Sequence, residues 1–450
     1  MKVGFISLGC AKNQVNCEQM MWQTYEAGHE IEQEAEGCDI AVVNTCGFLQ
    51  EAKREALHEI ARLVQMKEEG SLGKIIVTGC MAQRYKDELE ALCPQADGFI
   101  GVGGYETIAQ VLEDTAAGKK PHCFGSIHAP VPETNRVILG SECSAYLRIA
   151  EGCDNRCTYC VIPSIRGNFR SRPMEAVLKE AESLAADGIR ELVIVAQDIT
   201  RYGLDLYGER SLPELVKGLC KIEEIHWIRL LYLYPEEVTD ELIDLIAEEP
   251  KIVKYLDIPI QHISNAVLKR MNRRGTGQDI RQLFRKIRER IPGVVLRTSL
   301  ICGFPGEAEE DFEELAIFLR EFRLERAGIF AFSPEHGSAA FEMEDQVEDD
   351  VKRRRQALLT EIQMEVLDTW CEQQVGKTIE VLCELSTGRY EGKMLSFGRS
   401  AMESPEVDGF TMLHSKNALT PGEFYMATIT AGEDGELIAE VEEVAHEHSK

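Results

Sequence analysis

No stretch of this chain approaches the roughly 20 consecutive apolar residues that a bilayer-spanning helix needs. The start offers only the short apolar run Val3 to Leu8, too little for a secretory signal. Basic side chains are scarce: 49 Lys and Arg stand against 77 Asp and Glu, a formal charge of -28. Such a field repels nucleic-acid phosphate and favours a basic partner. Aromatics make up a modest 7%, and no repeat of a solenoid or propeller kind is evident. The missing signal bears on the 15 cysteines. With no route to an oxidising compartment they are expected to be reduced or metal-bound, in a cytoplasmic protein with no membrane association.

What is present is ordinary globular sequence, 44% apolar and 28% charged. At 450 residues it has room for about three domains. Over the first 125 residues, apolar runs at Lys2 to Leu8, Asp39 to Asn44, Lys74 to Thr78 and Gly98 to Val102 alternate with helical periodicity at Gln50 to Lys67 and Ala82 to Leu92. This is the pattern of a doubly wound parallel sheet. Residues 126–140, with Pro130 and Pro132 and no clear period, read as a linker. A second βα series follows over 141–372. Its strands are expected at Tyr146 to Ala150, Glu191 to Ala196, Trp227 to Leu233, Tyr255 to Ile260, Val294 to Ile301 and Ala327 to Phe332. Helices are expected at Met174 to Asp187 and Asp311 to Phe322. Six such units suit a partial (β/α)6 barrel. A charged helix over Val347 to Gln374 reads as a solvated face. Residues 373–450 turn to short alternating runs broken by Gly, Ser and Pro, as in a small β barrel with an acidic tail. The whole is an α/β multidomain chain.

Six cysteines stand apart. Cys153, Cys157 and Cys160 form a Cys-x3-Cys-x2-Cys loop directly after an expected strand, and Cys10, Cys46 and Cys80 each end a strand of the first sheet. The carboxyl edge of an open α/β sheet is where ligand sites gather. Thiolates so spaced hold iron-sulfur clusters, and a four-iron cube given three protein ligands keeps one iron open. A zinc knuckle is the alternative, but zinc usually takes a fourth protein ligand and paired Cys-x2-Cys spacings. Three buried thiols are the other.

The loop Cys153-Asp-Asn-Arg-Cys157-Thr-Tyr-Cys160 resembles the signature of the radical S-adenosylmethionine enzymes. With Gly9-Cys10, Thr45-Cys46-Gly47 and Gly79-Cys80-Met81-Ala82-Gln83-Arg84-Tyr85, the chain is similar over its whole length to the methylthiotransferases. That resemblance implies two [4Fe-4S] clusters, a central radical-SAM barrel and a carboxyl-terminal TRAM barrel. It also implies S-adenosylmethionine contacts from the Tyr159 backbone, Gln197, Asp198, Gln261, and Arg297 or Gly303. Polar groups at carboxyl strand ends are where barrels build sites, and each of these is as easily an ordinary strand-end cap.

Gly9-Cys10-Ala11-Lys12-Asn13, Ile258-Pro259-Ile260-Gln261-His262-Ile263-Ser264, Gly398-Arg399-Ser400 and Glu403-Ser404-Pro405-Glu406-Val407-Asp408-Gly409 are similar to the RimO-type branch. Those enzymes methylthiolate the β carbon of an aspartate in ribosomal protein S12. The transfer-RNA branch, the alternative, usually shows Gly-Cys-Gln-Met-Asn and Gln-Ser-Gly-Ser at the first two places. From Gln374 to Lys450 there are 14 acidic and 6 basic residues, which suits a lysine- and arginine-rich protein partner better than RNA. Nucleic acid is therefore not expected as the direct substrate. The resemblance further implies an electron donor such as flavodoxin or ferredoxin. One S-adenosylmethionine would methylate a cluster-held sulfide, and a second would yield the radical that takes hydrogen from the β carbon. That C–H bond is far too weakly acidic for a side-chain base.

Asn16-Cys17 departs from the family's common Asp-Ser, and Cys302 and Ala308 flank Gly303-Phe304-Pro305-Gly306-Glu307 unexpectedly. Cys17 is either a fourth thiol near the first trio or a small core side chain. The other eight cysteines read as core. His262 reads as a channel lining or a structural histidine.

Overall fold

The computed structural model describes residues 1–390 and 392–442. The acidic tail expected beyond Glu442 lies outside the described residues. Strands β1 (Lys2–Ser7), β2 (Glu30–Glu32), β3 (Ile40–Thr45), β4 (Lys74–Gly79), β5 (Gly98–Gly103) and β6 (His122–Gly125) form one parallel sheet in the order β2-β1-β3-β4-β5-β6. Val3 lies opposite Ile40, and Ile40 opposite Lys74. Both faces are covered, which is why the strands read as unbroken apolar runs. Ala41, Val43, Ile75, Val77 and Phe99 share a core with Ala56, Ile60 and Leu63 of the helix Gln50–Glu68. On the other face Val3, Phe5, Val42, Ile76 and Ile100 meet the helices Ala11–Glu26 and Ile108–Ala116.

Several elements differ from expectation. The edge strands β2 and β6 are too short and too polar to carry an alternating signal. The helix Ala11–Glu26 was concealed because Lys12, Asn13, Asn16, Glu18 and Gln19 are buried along with its apolar face, so no amphipathic stripe exists. The single helix expected over Ala82 to Leu92 is two, Cys80–Arg84 and Leu89–Leu92. Arg84 leaves the first to reach across the molecule, and the chain turns before resuming.

Residues 126–143 carry no strand or helix. Strands β7 (Ser144–Arg148), β8 (Ala150–Glu151), β9 (Arg170–Ser171), β10 (Glu191–Val195), β11 (Trp227–Leu230), β12 (Ile252–Asp257), β13 (Val295–Cys302) and β14 (Arg326–Ala331) follow. Six of them make an open, all-parallel sheet in the order β14-β13-β12-β11-β10-β7, and β8 and β9 pair by themselves. A large core joins Leu147, Leu192, Ile194, Ile228 and Leu256 on the outer face to the helices Met174–Ala186, Leu212–Leu219 and Glu309–Phe322. The inner face gathers Tyr146, Val193, Val195, Trp227, Leu231, Tyr255 and Val295 into one cluster with Ala11 and Val15 of the first domain. The first domain thus lies over the barrel's interior.

Strands β15 (Thr378–Tyr390), β16 (Lys393–Ser400), β17 (Thr411–Ser415), β18 (Phe424–Glu433) and β19 (Glu436–Val441) close a small barrel in the order β15-β16-β17-β19-β18. The segment after β16 enters the central sheet. Arg399 donates to Glu191 and Glu384 at 2.6 Å each, Arg229 donates to Glu191 at 2.9 Å and to the carbonyls of Ser400 and Ala401, and Tyr255 donates to Asp408 at 2.5 Å. The helix Asp349–Glu372 corrects the solvated-face reading of its basic run. Arg353 and Arg354 are exposed, whereas Lys352 and Arg355 are buried. Arg355 donates to Glu307 at 2.7 Å and to Glu309 at 2.8 Å. A charge run in sequence shows no face until the helix is placed.

Candidate functional site

The strands β1, β3 and β4 are adjacent, so the residues just past their carboxyl ends are neighbours. Cys10 precedes the helix Ala11–Glu26, Cys46 follows β3, and Cys80 opens the helix after β4. Asn13 ties these loops together: its amide donates to the carbonyls of Leu8 at 2.8 Å and Thr45 at 3.2 Å, and its own carbonyl accepts from Asn44 at 2.7 Å. Two glycines let the loops close. A Cβ on Gly47 would lie 2.5 Å from the Met81 Cα, and one on Gly79, whose φ is +99°, would lie 2.4 Å from the Thr45 carbonyl. Burial pushes the Cys80 thiol up to about 11, against the pull of Arg166. Burial also raises Cys10, but Lys12, Arg166 and two backbone N–H groups more than offset it and leave that thiol below its ordinary value.

The second trio lies in the loop after β8. The Thr158 hydroxyl anchors it to the Arg270 carbonyl at 2.8 Å, and Asn155 donates to Asp198 at 2.8 Å. Tyr234 stands with its hydroxyl 3.9 Å from the Cys157 sulfur, and the Ile162 N–H points at Cys160 at 3.5 Å. Burial pushes the Cys153 thiol up to about 11 and raises Cys160 as well. All three thiols are half-buried.

Arg166, at the end of the short helix Ile162–Arg166 that follows the second trio, reaches the first. Its guanidinium donates to the Cys80 sulfur at 3.2 Å, to the side-chain oxygens of Asn13 at 3.1 Å and Asn16 at 3.2 Å, and to Glu151 at 2.9 Å. Val161 and Ile165 share an apolar cluster with Cys80. A second tie runs from Arg84, which donates to the carbonyls of Gly47 and Phe48 beside Cys46 and to Glu335 at 2.9 Å. Glu335, buried in the loop after β14, also accepts the Gln50 N–H at 3.0 Å. Lys12 is buried with its ammonium 3.5 Å from the centre of the Tyr232 ring. Lys12 and Arg84 stand inside the motifs around Cys10 and Cys80, but nothing in those motifs announces these contacts, and Arg166 and Glu335 belong to no such motif.

The six residues that the resemblance assigned to S-adenosylmethionine divide. Tyr159 lies between two thiols and packs on the Val267, Met271 and Phe304 cluster. Gln197 donates to Glu151 at 2.9 Å, while its amide oxygen has no partner among the described residues. Gln261 follows β12 with φ at +69°, and Gly303 follows β13 with φ at +72°. Asp198 is a buried cap, accepting from Thr200 and Asn155. Arg297 sits near the start of β13 and pairs with Asp257 at 2.7 Å, with Asp408 of the last barrel at 3.9 Å. Cys17 lies among Val3, Phe5 and Met20, and burial holds its thiol at about 12. His262 is wholly buried, its Nδ1 accepts the Ser264 N–H at 3.0 Å, and burial depresses it to about 3. Both are core groups.

Among the described residues no three His, Cys, Asp or Glu side chains gather tightly enough to chelate one metal ion. A cubane's three thiolates bind three different irons and stand farther apart, and the donors here are three sulfurs per group. The orphaned Gln197 oxygen leaves an acceptor for an ammonium-bearing ligand. The residues present therefore fit two clusters and S-adenosylmethionine. Among the described residues no helix is long and apolar enough to cross a membrane.

Family models match three stretches: the radical SAM superfamily over residues 147–319, the uncharacterized protein family UPF0004 over 2–101 and the TRAM domain over 375–441. The chain is 44% identical over 443 residues to the ribosomal protein uS12 methylthiotransferase RimO of Lachnoclostridium phytofermentans, covering 98% of this chain and 100% of that one. It is 45% identical to the same enzyme of Geobacter sulfurreducens, covering 98% of each. The fold resembles the radical S-adenosylmethionine methyltransferase TsrM of Kitasatospora setae, with a TM-score of 0.54 at 14% identity over 86% of this chain and 79% of that one. At 44% identity over nearly its whole length, the chain belongs to the RimO family of ribosomal protein uS12 methylthiotransferases.

Proposed function

We propose that this chain transfers a methylthio group to the β carbon of an aspartate in ribosomal protein uS12. Cys153, Cys157 and Cys160 would hold one [4Fe-4S] cluster, and Cys10, Cys46 and Cys80 the other. When bound, these clusters and S-adenosylmethionine supply an electron, a radical initiator and an iron that carries sulfur. The chain's own residues bind, orient and shield. Tyr159, Gln197, Gln261 and Gly303 border the cofactor, and Asp198 holds the cysteine loop through Asn155. Arg297 braces the carboxyl-terminal barrel instead.

One observation carries this reading: Arg166, six residues past Cys160, reaches the Cys80 sulfur at 3.2 Å. That contact and the Cys80, Val161 and Ile165 cluster bring the segment after the second trio against the first, in keeping with a reaction that makes a radical at one centre and delivers sulfur from the other. A partner rich in lysine and arginine suits the chain's charge of -28. The site of action would be the cytoplasm, with flavodoxin or ferredoxin as electron donor.

The test is mass spectrometry of ribosomal proteins and of transfer-RNA nucleosides from a strain lacking the gene. Loss of methylthiolated uS12 with unchanged nucleosides is the expected result. Loss of a methylthio-adenosine with intact uS12 would transfer the assignment to RNA.

A further inference from the structure

Of the two buried lysines, Lys352 has Asp349 at 3.1 Å, whereas Lys12 has no carboxylate within 4 Å among the described residues. Its ammonium rests on the Tyr232 ring, 3.5 Å from the centroid. A buried cation is costly unless something anionic meets it. Tyr232 follows β11 at the carboxyl end of the barrel, with φ at +66°. Its N–H points at Asp257 at 3.3 Å and its carbonyl accepts from Ile199. A non-glycine residue held in this region marks a position that the surroundings dictate. Ala11 and Val15, flanking Lys12 on its helix, belong to the cluster on the barrel's inner face. The ammonium thus stands over the barrel's interior, two residues from Cys10 and at the boundary between the two domains.

We infer that Lys12 is a specificity-determining residue that receives the carboxylate of the substrate's target aspartate. The inference rests on the aspartyl substrate proposed above. A carboxylate meeting Lys12 would place its β carbon beside the Cys10 trio, where sulfur must arrive. Tyr232 would hold the ammonium by its ring face while leaving its donors free for the ligand. A neutral amide cannot replace the charge-assisted contact, so asparagine at the target position would be rejected.

The test uses the anaerobically reconstituted full-length enzyme, and as ligands uS12 and a uS12 variant with asparagine at the target position. Kd for each is measured with wild type, Lys12→Met and Lys12→Arg, alongside iron content. Wild type is expected to prefer aspartate by about tenfold or more. Lys12→Met would bind the two ligands within about threefold of each other while keeping the wild-type iron content, and Lys12→Arg would retain the preference. Undiminished preference in Lys12→Met overturns the inference. So does a Lys12→Met protein that loses half its iron with its preference intact, since Lys12 would then merely balance the charge of a cluster. Failure of the wild-type enzyme to methylthiolate uS12 at all overturns the substrate reading itself, and this inference with it.

Discussion

Arg166 holds a thiol, two asparagine side chains and a buried carboxylate with one planar fork. Burial works against ionised Glu151, but Arg166 and Arg148 overcome it and hold the carboxyl down at about 2. Arg166→Met leaves that charge with Arg148 as its one cationic partner beside the Gln197 amide, and a buried carboxylate stripped of a cation costs about 3–5 kcal/mol. Denaturant unfolding is expected to show a loss of this size, and Arg166→Lys to recover only part, because a point charge cannot span four acceptors. Cys157→Ala is expected to abolish 5′-deoxyadenosine formation. Cys46→Ala should keep that product, lose the methylthio product and retain about four of about eight irons after anaerobic reconstitution. Wild-type methylthiolation by Cys46→Ala would remove the first trio from the reaction. The six cysteines were legible in sequence because their spacing and strand-end positions are local. The long-range contacts of Arg166, Arg84, Glu335 and Lys12 were not, although Lys12 and Arg84 lie in the Cys10 and Cys80 motifs, because each reaches a residue far along the chain.

At the scale of single elements, the loop carrying Cys80 shows how the backbone sets thiol placement. Gly79 passes the Thr45 carbonyl so closely that any side chain must displace one of the two strand ends. Gly79→Ala is expected to destabilise the first domain by about 1–3 kcal/mol, and to lower iron retention towards half without affecting the Cys153 loop. Iron and sulfide quantitation with a thermal melt checks both. Strands β3, β4 and β10 were readable because burial on both faces demands apolar runs. The helix Ala11–Glu26 broke the rule that polar residues face water, since its polar side chains serve the site and the domain junction. The same blindness hid Lys352 and Arg355 inside a run that reads as solvated.

The molecule as a whole is fastened at its carboxyl end by Glu191, shared between Arg229 and Arg399. Burial opposes its charge, yet Arg399 and Arg229 hold the carboxyl down at about 2. A depressed carboxylate contributes stability that is present above its unfolded value, about 4.3, and is lost as pH falls through about 2. Docking of the last barrel should therefore hold from neutrality to about pH 4 and loosen towards pH 2. Trp227, buried against Phe424 of β18 with ring centroids 4.8 Å apart, reports it by fluorescence. Glu191→Gln is expected to cost about 3–5 kcal/mol at pH 7 and to flatten that acid transition. An unchanged acid profile would show that Glu191 does not set it.

The chain's sequence by itself determined three α/β or β modules, the succession of their main inner strands and the strand-end places of the two cysteine trios, because hydrophobic period and loop position are written within a few residues of one another. Only the tertiary structure decided that Arg166 reaches Cys80, that Lys12 is a buried cation without a carboxylate among the described residues, and that the segment after β16 bonds to the central sheet. Each of those depends on side chains separated by many tens of residues. Their partners are chosen by packing and desolvation, and neither has a local signature.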